Sequence, residues 1–202
     1  LYNETNGKSI MPAPIIGMIG IVEDIEKVIK NYAENKSTIF IIGQDHEKDD
    51  GWLSSSFYQE IFNNDSQGKV PEANLEKEKY IINFLHEINS CELVVGAHDV
   101  SDGGLFVSLI ESMIPKKLGC EIYTDANFRQ DAYLFGESQS RVLISLDQKK
   151  EKDFLALLNK SKFPYYKLGQ VYSDKVLIDD VDFGGIQKLE YIYSNSLAKN
   201  FN

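Results

Sequence analysis

The sequence contains few cysteines, few cations relative to anions, and no long apolar run. Cys91 and Cys120 are the only cysteines among 202 residues. Two are too few for a disulfide framework or a thiolate metal site, so we expect both to be small buried residues in a reducing compartment. The longest apolar run, residues 15–22, is too short to span a bilayer.

The charge balance limits the class of partner. Lys and Arg number 21 against 31 Asp and Glu, which gives a net charge of −10. Nucleic acids and anionic membranes are bound by clustered cations, so we expect neither as the main partner. The sequence shows no signal peptide or lipidation motif, and a cytoplasmic location is therefore the default expectation.

The composition is that of a globular protein, with 43% hydrophobic and 26% charged residues. The length fits one good-sized domain, or one domain with an appendage. The chain begins at Leu1 without an initiator Met, as if inside a strand. We therefore expect it to be a piece of a larger enzyme.

The pattern of apolar residues predicts alternating strands and helices. Residues 10–22 read as one extended strand, which Pro12 and Pro14 confine to a sheet edge or a strand start. Several connections are too short for parallel crossovers, which favours an α/β or α+β layer fold with a mixed sheet. A domain boundary is expected within residues 25–36. The other predicted strands are 38–43, 93–97, 120–123, 141–146 and a hairpin of 165–171 with 175–178; the predicted helices are 54–62, 75–89, 102–113, 127–136 (helix or turn), 149–160 and 189–201.

The first polar stretch that could carry chemistry is 97–105, Ala-His-Asp-Val-Ser-Asp-Gly-Gly-Leu. A strand would deliver His98 and Asp99 to its end, and Ser101 or Asp102 would cap the next helix. Gly103 and Gly104 would let backbone N–H groups approach an anion, with a carboxylate nearby for Mg²⁺. The alternative is a capped tight turn with a buried histidine bonded to the backbone, and both interpretations remain open.

The second stretch is 134–141, Leu-Phe-Gly-Glu-Ser-Gln-Ser-Arg. Its carboxylate, hydroxyl, amide and guanidinium groups could contact a ribose, a phosphate or an amide substrate. The alternative is a helix end at Gly136, a polar turn, and Arg141 paired with a surface carboxylate. A third stretch, the serines 54–56, reads more simply as a helix cap.

Four stretches in this order, 1–5, 10–20, 97–105 and 134–141, closely resemble the C-terminal part of the phosphoribosylformylglycinamidine synthase family, also called formylglycinamide ribonucleotide amidotransferases. The Asn-Glu-Thr opening is similar to the small-subunit type. The resemblance implies an ATP-dependent reaction of purine synthesis that converts formylglycinamide ribonucleotide and ammonia to formylglycinamidine ribonucleotide. It also implies a separate glutaminase subunit, a small accessory subunit and Mg²⁺.

The resemblance implies a division of the chain as well. Residues 1–33 would be the tail of the second N-terminal, barrel-forming domain, and residues 34–202 the second C-terminal α/β domain of the aminoimidazole ribonucleotide synthetase superfamily. The family's catalytic histidines precede this chain, so no catalytic residue is assigned to it, and the isolated chain is expected to be inactive. Ser54 and Ser55 replace glycines of the family pattern, which argues against phosphate binding by that loop.

The resemblance places a metal-binding carboxylate at Asp99 and substrate- or nucleotide-facing groups elsewhere. Glu137, Ser138 and Gln139 are similar to a Glu-Ser-Gln element of the family's first half that touches substrate. The residues expected to face substrate or nucleotide are Asn3, Glu4, His98, Ser101, Gly103, Gly104, Glu137, Ser138, Gln139 and Arg141.

Two other functions stay open, an architectural domain that docks partner subunits and a sister enzyme of the superfamily, such as a selenophosphate synthetase or a thiamine-phosphate kinase. The apolar residues 10–22 also lead us to expect that the isolated chain self-associates or has a mobile N-terminal arm, since unpaired strand edges join with other copies.

Overall fold

The computed structural model describes residues 3–10, 15–43, 53–54, 56–63, 72–161 and 163–198. Residues 11–14 of the predicted N-terminal strand and Ser55 of the serine stretch lie outside these ranges. The strands are β1 (Glu4–Thr5), β2 (Lys8–Ser9), β3 (Ser37–Ile42), β4 (Gly96–Asp99), β5 (Cys120–Ile122), β6 (Val142–Asp147), β7 (Tyr165–Val171), β8 (Lys175–Ile178) and β9 (Val181–Gly185); the α-helices are α1 (Phe57–Asn63), α2 (Leu75–Ser90), α3 (Gly104–Met113), α4 (Gln130–Phe135), α5 (Glu151–Ser161) and α6 (Ile186–Asn195).

A seven-stranded sheet in the order β4-β6-β3-β7-β5-β8-β9 forms the centre of the fold. Its neighbouring strands are antiparallel except for β5 and β8, which are parallel. The expected mixed sheet within an α/β architecture is therefore confirmed. The predicted strand 38–43 corresponds to β3, which pairs with β6 on one side and β7 on the other.

The predicted hairpin of 165–171 with 175–178 is wrong, because β5 lies between these two strands. Two glycines make the insertion possible: a Cβ on Gly169 would lie 2.0 Å from the Glu121 carbonyl oxygen, and one on Gly119 would lie 2.0 Å from that of Lys175. The insertion buries the apolar residues of β5, Cys120 and Ile122. Strand β8 instead pairs with β9, which the sequence pattern did not predict.

Helices cover both faces of the sheet, and alternate residues of β3 supply both cores. Ile39 and Ile41 belong to the core that includes α3 and α4, whereas Phe40 and Ile42 pack in the core that includes α2 and α5. Helix α2 begins where Asn74 accepts the Lys77 amide at 3.0 Å. It buries Ile81, Phe84 and Ile88, whereas Ile82 is exposed and Leu85 is half-buried.

The N-terminal segment does not continue the large sheet. β1 and β2 form a separate two-stranded hairpin through Asn6 and Gly7, both at positive φ. Residues 15–22 are in no strand, and their side chains lie in solvent. The predicted strand is therefore not found in the described part of 10–22: the Ile10 amide bonds the Asn3 carbonyl at the end of the small hairpin, and residues 15–22 pair with no strand. The division between residues 33 and 34 stays a prediction.

Candidate functional site

The two polar loops meet at one edge of the sheet. Because β6 is antiparallel to both β3 and β4, the ends of β3 and β4 lie beside the beginning of β6. Asp99 pairs with Val142 there, and the Val100 amide donates to the Arg141 carbonyl at 3.0 Å. Stretches 97–105 and 134–141, separate in the sequence, therefore form one cluster.

The Glu137 carboxylate joins this cluster to α1. Its Oε1 atom accepts the Gly103 amide at 2.8 Å and the Phe57 amide at 3.2 Å. The beginning of α3, where a bound anion is expected, is thus contacted by a side-chain carboxylate of the neighbouring loop. A carboxylate is favoured at this position because it complements the partial positive charge of a helix N-terminus.

Gly103 and Gly104 have positive φ angles of 79° and 70°, which favour glycine. A Cβ on Gly104 would lie 2.7 Å from the carbonyl oxygens of Leu134 and Gly136, so this glycine lets the second loop pack directly on the backbone of the first. The predicted cap by Ser101 or Asp102 is wrong. Gly103 is itself the N-cap residue, with no side-chain capping bond of its own, and Glu137 binds its amide instead.

Arg141 lies beneath the second loop rather than on its surface. Its side chain is buried, Nε donates to the Ser138 carbonyl at 3.0 Å, and Nη2 donates to the Gly136 carbonyl. Burial lowers the Arg141 pKa to about 10, although the charges of Tyr133 and Glu137 act in the opposite direction. These two partners are backbone carbonyls flanking Glu137, and the guanidinium is buried rather than on the surface.

The remaining groups of the second loop differ in exposure. Gln139 is exposed and Ser138 is half-buried, so both can be reached from solvent. Ser140 has a φ of 63°, and its hydroxyl donates to the Glu78 carboxylate in the first turn of α2. This contact ties the loop to α2, and the sequence analysis missed it because nothing in the spacing of residues 78 and 140 signals proximity.

His98 and Asp99 end β4 in different environments. The His98 side chain is 12% exposed, with Nε2 3.4 Å from Glu111 Oε2 and Nδ1 2.7 Å from the Asp99 carbonyl oxygen. Tyr193 of α6 donates to the other oxygen of Glu111. The Asp99 side chain is 77% exposed, and its Oδ1 lies 3.7 Å from His98 Nδ1. Asp99, and not His98, is therefore open to a ligand in solution.

Asn3 and Glu4 are not part of this cluster. They lie in the separate N-terminal hairpin, where Asn3 Oδ1 accepts the Glu4 amide at 2.9 Å and the Asn3 carbonyl accepts the Ile10 amide at 2.8 Å.

Ser56 is the helix cap that the serine stretch predicted: it is buried, its hydroxyl donates to the Leu53 carbonyl at 2.6 Å, and it accepts the Gln59 amide at 3.2 Å.

The donor set at the cluster fits Mg²⁺ only in part. In the part of the chain that the structure describes, no three His, Cys, Asp or Glu side chains come together as metal ligands. Mg²⁺ commonly takes one or two carboxylates and completes its octahedron with water and substrate phosphates. The exposed Asp99 carboxylate suits that mode but supplies a single protein ligand.

The family model described as AIR synthase related protein, C-terminal domain, matches residues 37–181. The chain belongs to this family. The matched range contains both polar loops of the cluster and excludes the N-terminal hairpin. None of the helices in the described residues is long and apolar enough to cross a membrane.

Curated relatives of this AIR synthase related domain are much longer than the chain. It is 33% identical over 180 residues to the phosphoribosylformylglycinamidine synthase subunit PurL of Caldanaerobacter subterraneus subsp. tengcongensis, an alignment that covers 89% of the chain and 24% of the relative. It is 35% identical over 219 residues to the subunit of the same name from Prochlorococcus marinus strain MIT 9301, covering 100% of the chain and 28% of the relative. The chain thus spans about a quarter of these relatives.

Solved structures share the fold of this AIR synthase related domain. Thermotoga maritima PurL complexed with FGAR superposes with a TM-score of 0.67 at 21% identity, covering 82% of the chain and 30% of that protein. Thiamine-monophosphate kinase from Stenotrophomonas maltophilia superposes with a TM-score of 0.52 at 12% identity, covering 76% of the chain and 54% of that protein. At these identities the likeness concerns the fold alone.

Proposed function

We propose that the chain is the C-terminal part of the ATP-dependent subunit of a phosphoribosylformylglycinamidine synthase. The observation that carries this proposal is the identity of 35% over 219 residues to a subunit of that name, which extends over the whole chain. It includes the N-terminal residues that the AIR synthase related model leaves out. A sister enzyme of the superfamily would share the fold but not this identity.

The proposed reaction is the formation of an amidine from an amide. ATP transfers its γ-phosphoryl group to the amide oxygen of formylglycinamide ribonucleotide, and ammonia then adds to the activated carbon. The C–O bond breaks, phosphate departs, and formylglycinamidine ribonucleotide, ADP and phosphate are the products. A phosphate is a far better leaving group than the amide oxygen it replaces.

Within this reaction we propose that the exposed polar groups of the cluster contact nucleotide or substrate. Asp99, Ser101 and Gln139 are exposed at the sheet edge, and Ser138 is half-buried beside them. Asp99 would be one carboxylate ligand of a Mg²⁺ ion whose other ligands are water and phosphate oxygens. The bound ion would neutralise charge on the phosphates, whereas the backbone cluster beneath these side chains fixes their positions.

Partner subunits are part of the proposal. The solved PurLQS of Thermotoga maritima superposes with a TM-score of 0.62 at 16% identity. We propose that the complete protein takes ammonia from a separate glutaminase subunit with the aid of a small accessory subunit. The chain alone, at about a quarter of the relatives' length, is proposed to be inactive.

A purely architectural role is the second candidate, and one observation favours it. The Gly103 amide and the Glu137 carboxylate, both expected to face a ligand, bind each other. Under this hypothesis the loops stabilise the domain, and the exposed side chains at the same edge contribute nothing to catalysis.

A chimeric enzyme separates the two candidates. The chain replaces the aligned segment of the Caldanaerobacter subunit, and ammonia-dependent formation of formylglycinamidine ribonucleotide is measured, with ATP consumption as a second readout. We expect activity in the chimera and none in the isolated chain. Asp99→Asn should lower activity at least about tenfold by removing a charged ligand, whereas Asp102→Asn, an exposed neighbour, is the matched control.

Each outcome decides between the candidates. An active chimera in which Asp99→Asn and Asp102→Asn are both without effect supports the architectural role. A folded chimera that consumes ATP only with a different acceptor would contradict the proposed substrate. Isothermal titration of the isolated chain with ATP and Mg²⁺ is the companion measurement, and micromolar binding would contradict the view that this chain depends on further domains.

A further inference from the structure

Glu137 bonds the backbone of two elements that are far apart in the sequence. One oxygen atom, Oε1, accepts N–H groups of Phe57, the first residue of α1, and of Gly103, the residue before α3. Both donors belong to the first, unbonded N–H groups of their helices, which need partners from outside the helix. A single carboxylate supplies the partner for both.

The loop is built to hold this carboxylate in place. The buried guanidinium of Arg141 donates to the carbonyls of Gly136 and Ser138, the residues on either side of Glu137. The Gly136 carbonyl packs against Gly104, where the Cβ of any larger residue would collide with the carbonyl oxygen. The Ser140 hydroxyl fixes the far end of the loop on Glu78. The backbone that carries Glu137 is therefore held by contacts on both sides.

Helix α1 also has an aromatic contact and a side-chain cap among the described residues. The ring of Tyr58 stacks on Phe135 with centroids 5.1 Å apart, and Ser56, the residue before the helix, caps it by accepting the Gln59 amide. The side chains of Phe57, Ile61 and Phe62 are 52%, 73% and 69% exposed. A seven-residue helix is not stable by itself in water, so its position depends on such attachments.

We propose that Glu137 is a positioning residue: its carboxylate acts as an internal anion that locks α1 and the beginning of α3 onto the 136–141 loop. It acts through the Phe57 and Gly103 amides and not by contact with a ligand. This role differs from the substrate-facing one that the sequence suggested. It also means that a phosphate at this edge must displace Glu137 or bind other donors.

Amide hydrogen exchange of the complete chain, resolved by NMR, tests this without any ligand. Glu137→Ala removes the acceptor, Glu137→Gln keeps the Oε1 oxygen, and Glu60→Ala removes an exposed carboxylate from α1 itself as the matched control. We expect Glu137→Ala to accelerate exchange at Phe57 and Gly103 together by about tenfold, the worth of a charged hydrogen bond. Glu137→Gln should restore most of the protection, and Glu60→Ala should change neither amide.

Two results would overturn the proposal. The first is unchanged exchange at both amides in Glu137→Ala; the second is faster exchange at only one of them, because a shared acceptor must affect both. If Glu137→Ala unfolds the whole chain, the comparison passes to Glu137→Gln. Protection at both amides must then survive in that variant, and its loss at normal overall stability would contradict an acceptor role. The result is independent of the proposed reaction, since no substrate is present.

Discussion

The glycines of the first loop show what residue-level reasoning can reach. Two adjacent glycines after a strand predict a close approach of backbone to another group and the opening of a helix, and helix α3 does begin at Gly104. The identity of the approaching group could not be predicted, because Leu134 and Gly136 belong to the end of α4 and the residue after it, far away in the sequence. Long-range contacts of this kind leave no trace in local spacing.

The two cysteines also differ from the sequence expectation. Cys120 is buried within β5, as expected, whereas Cys91 follows α2 and is exposed. Burial without a charged partner raises the pKa of the Cys120 thiol from 9.0 to about 12, because the thiolate is poorly solvated there. Composition indicates that free cysteines tend to be buried, but it does not say which one lies on a helix end.

This difference predicts a pH dependence of stability. Between about pH 9 and 12 the unfolded thiol of Cys120 ionises while the native thiol stays protonated. The unfolded state then binds fewer protons, so the unfolding free energy falls with rising pH by up to about 1.4 kcal/mol per pH unit from this group. The stability that the protonated Cys120 thiol contributes is fully present below pH 9. Urea unfolding at pH 8 and pH 10 should show a smaller fall in Cys120→Ala and an unchanged fall in Cys91→Ala; equal falls in both variants would contradict the assignment.

At the scale of elements, periodicity identified segments better than it identified pairing. The buried run of β3 and the helices α2, α3 and α5 lie close to the predicted positions, because their apolar spacing is fixed by local geometry. The pairing of β7 with β8 was wrong because a short connection favours a hairpin, while burial of Cys120 and Ile122 favours the insertion of β5. Tertiary packing decided the outcome.

The C-terminal helix α6 allows a test of which of its faces packs against the core. Ile186 at the beginning of α6 is fully buried, whereas Ile192 on the same helix is 48% exposed. Ile186→Ala should lower the unfolding free energy by about 2–5 kcal/mol, through lost burial and the cavity that remains. Ile192→Ala, the same chemical change, should cost about 1 kcal/mol or less. Urea unfolding measures both, and similar losses would contradict this assignment of the packed face of α6.

At the scale of the whole molecule, the sequence could locate the candidate site. It could not predict which of the site's side chains are exposed and which bind other parts of the protein. Both polar loops do lie at one sheet edge, and Asp99, Ser101 and Gln139 are exposed there. Arg141 and Glu137 instead have structural partners, which only the folded chain reveals. Glu4 lies in the separate two-stranded sheet, and Asn3 directly precedes it.

The same N-terminal region predicts how the isolated chain behaves in solution. Ile15, Ile16, Met18, Ile19 and Ile21 are between 87% and 103% exposed, and none of residues 15–22 is in a strand. Exposed apolar side chains on a backbone segment that is in no strand favour strand pairing between copies. We therefore expect the apparent mass to rise above 22.9 kDa with increasing concentration in light scattering.

Charge placed in this segment should prevent that association. Ile16→Lys with Ile19→Lys puts two like charges on each copy, so paired segments would bring four cations together, and the double variant should remain monomeric at concentrations where the wild type associates. Leu75→Lys, a change at a 78% exposed apolar residue on α2, is the control and should associate like the wild type. If the control also becomes monomeric, association runs through the α2 surface. If the wild type itself stays monomeric at all concentrations, residues 15–22 do not pair between copies, and the apolar segment requires a partner other than this chain.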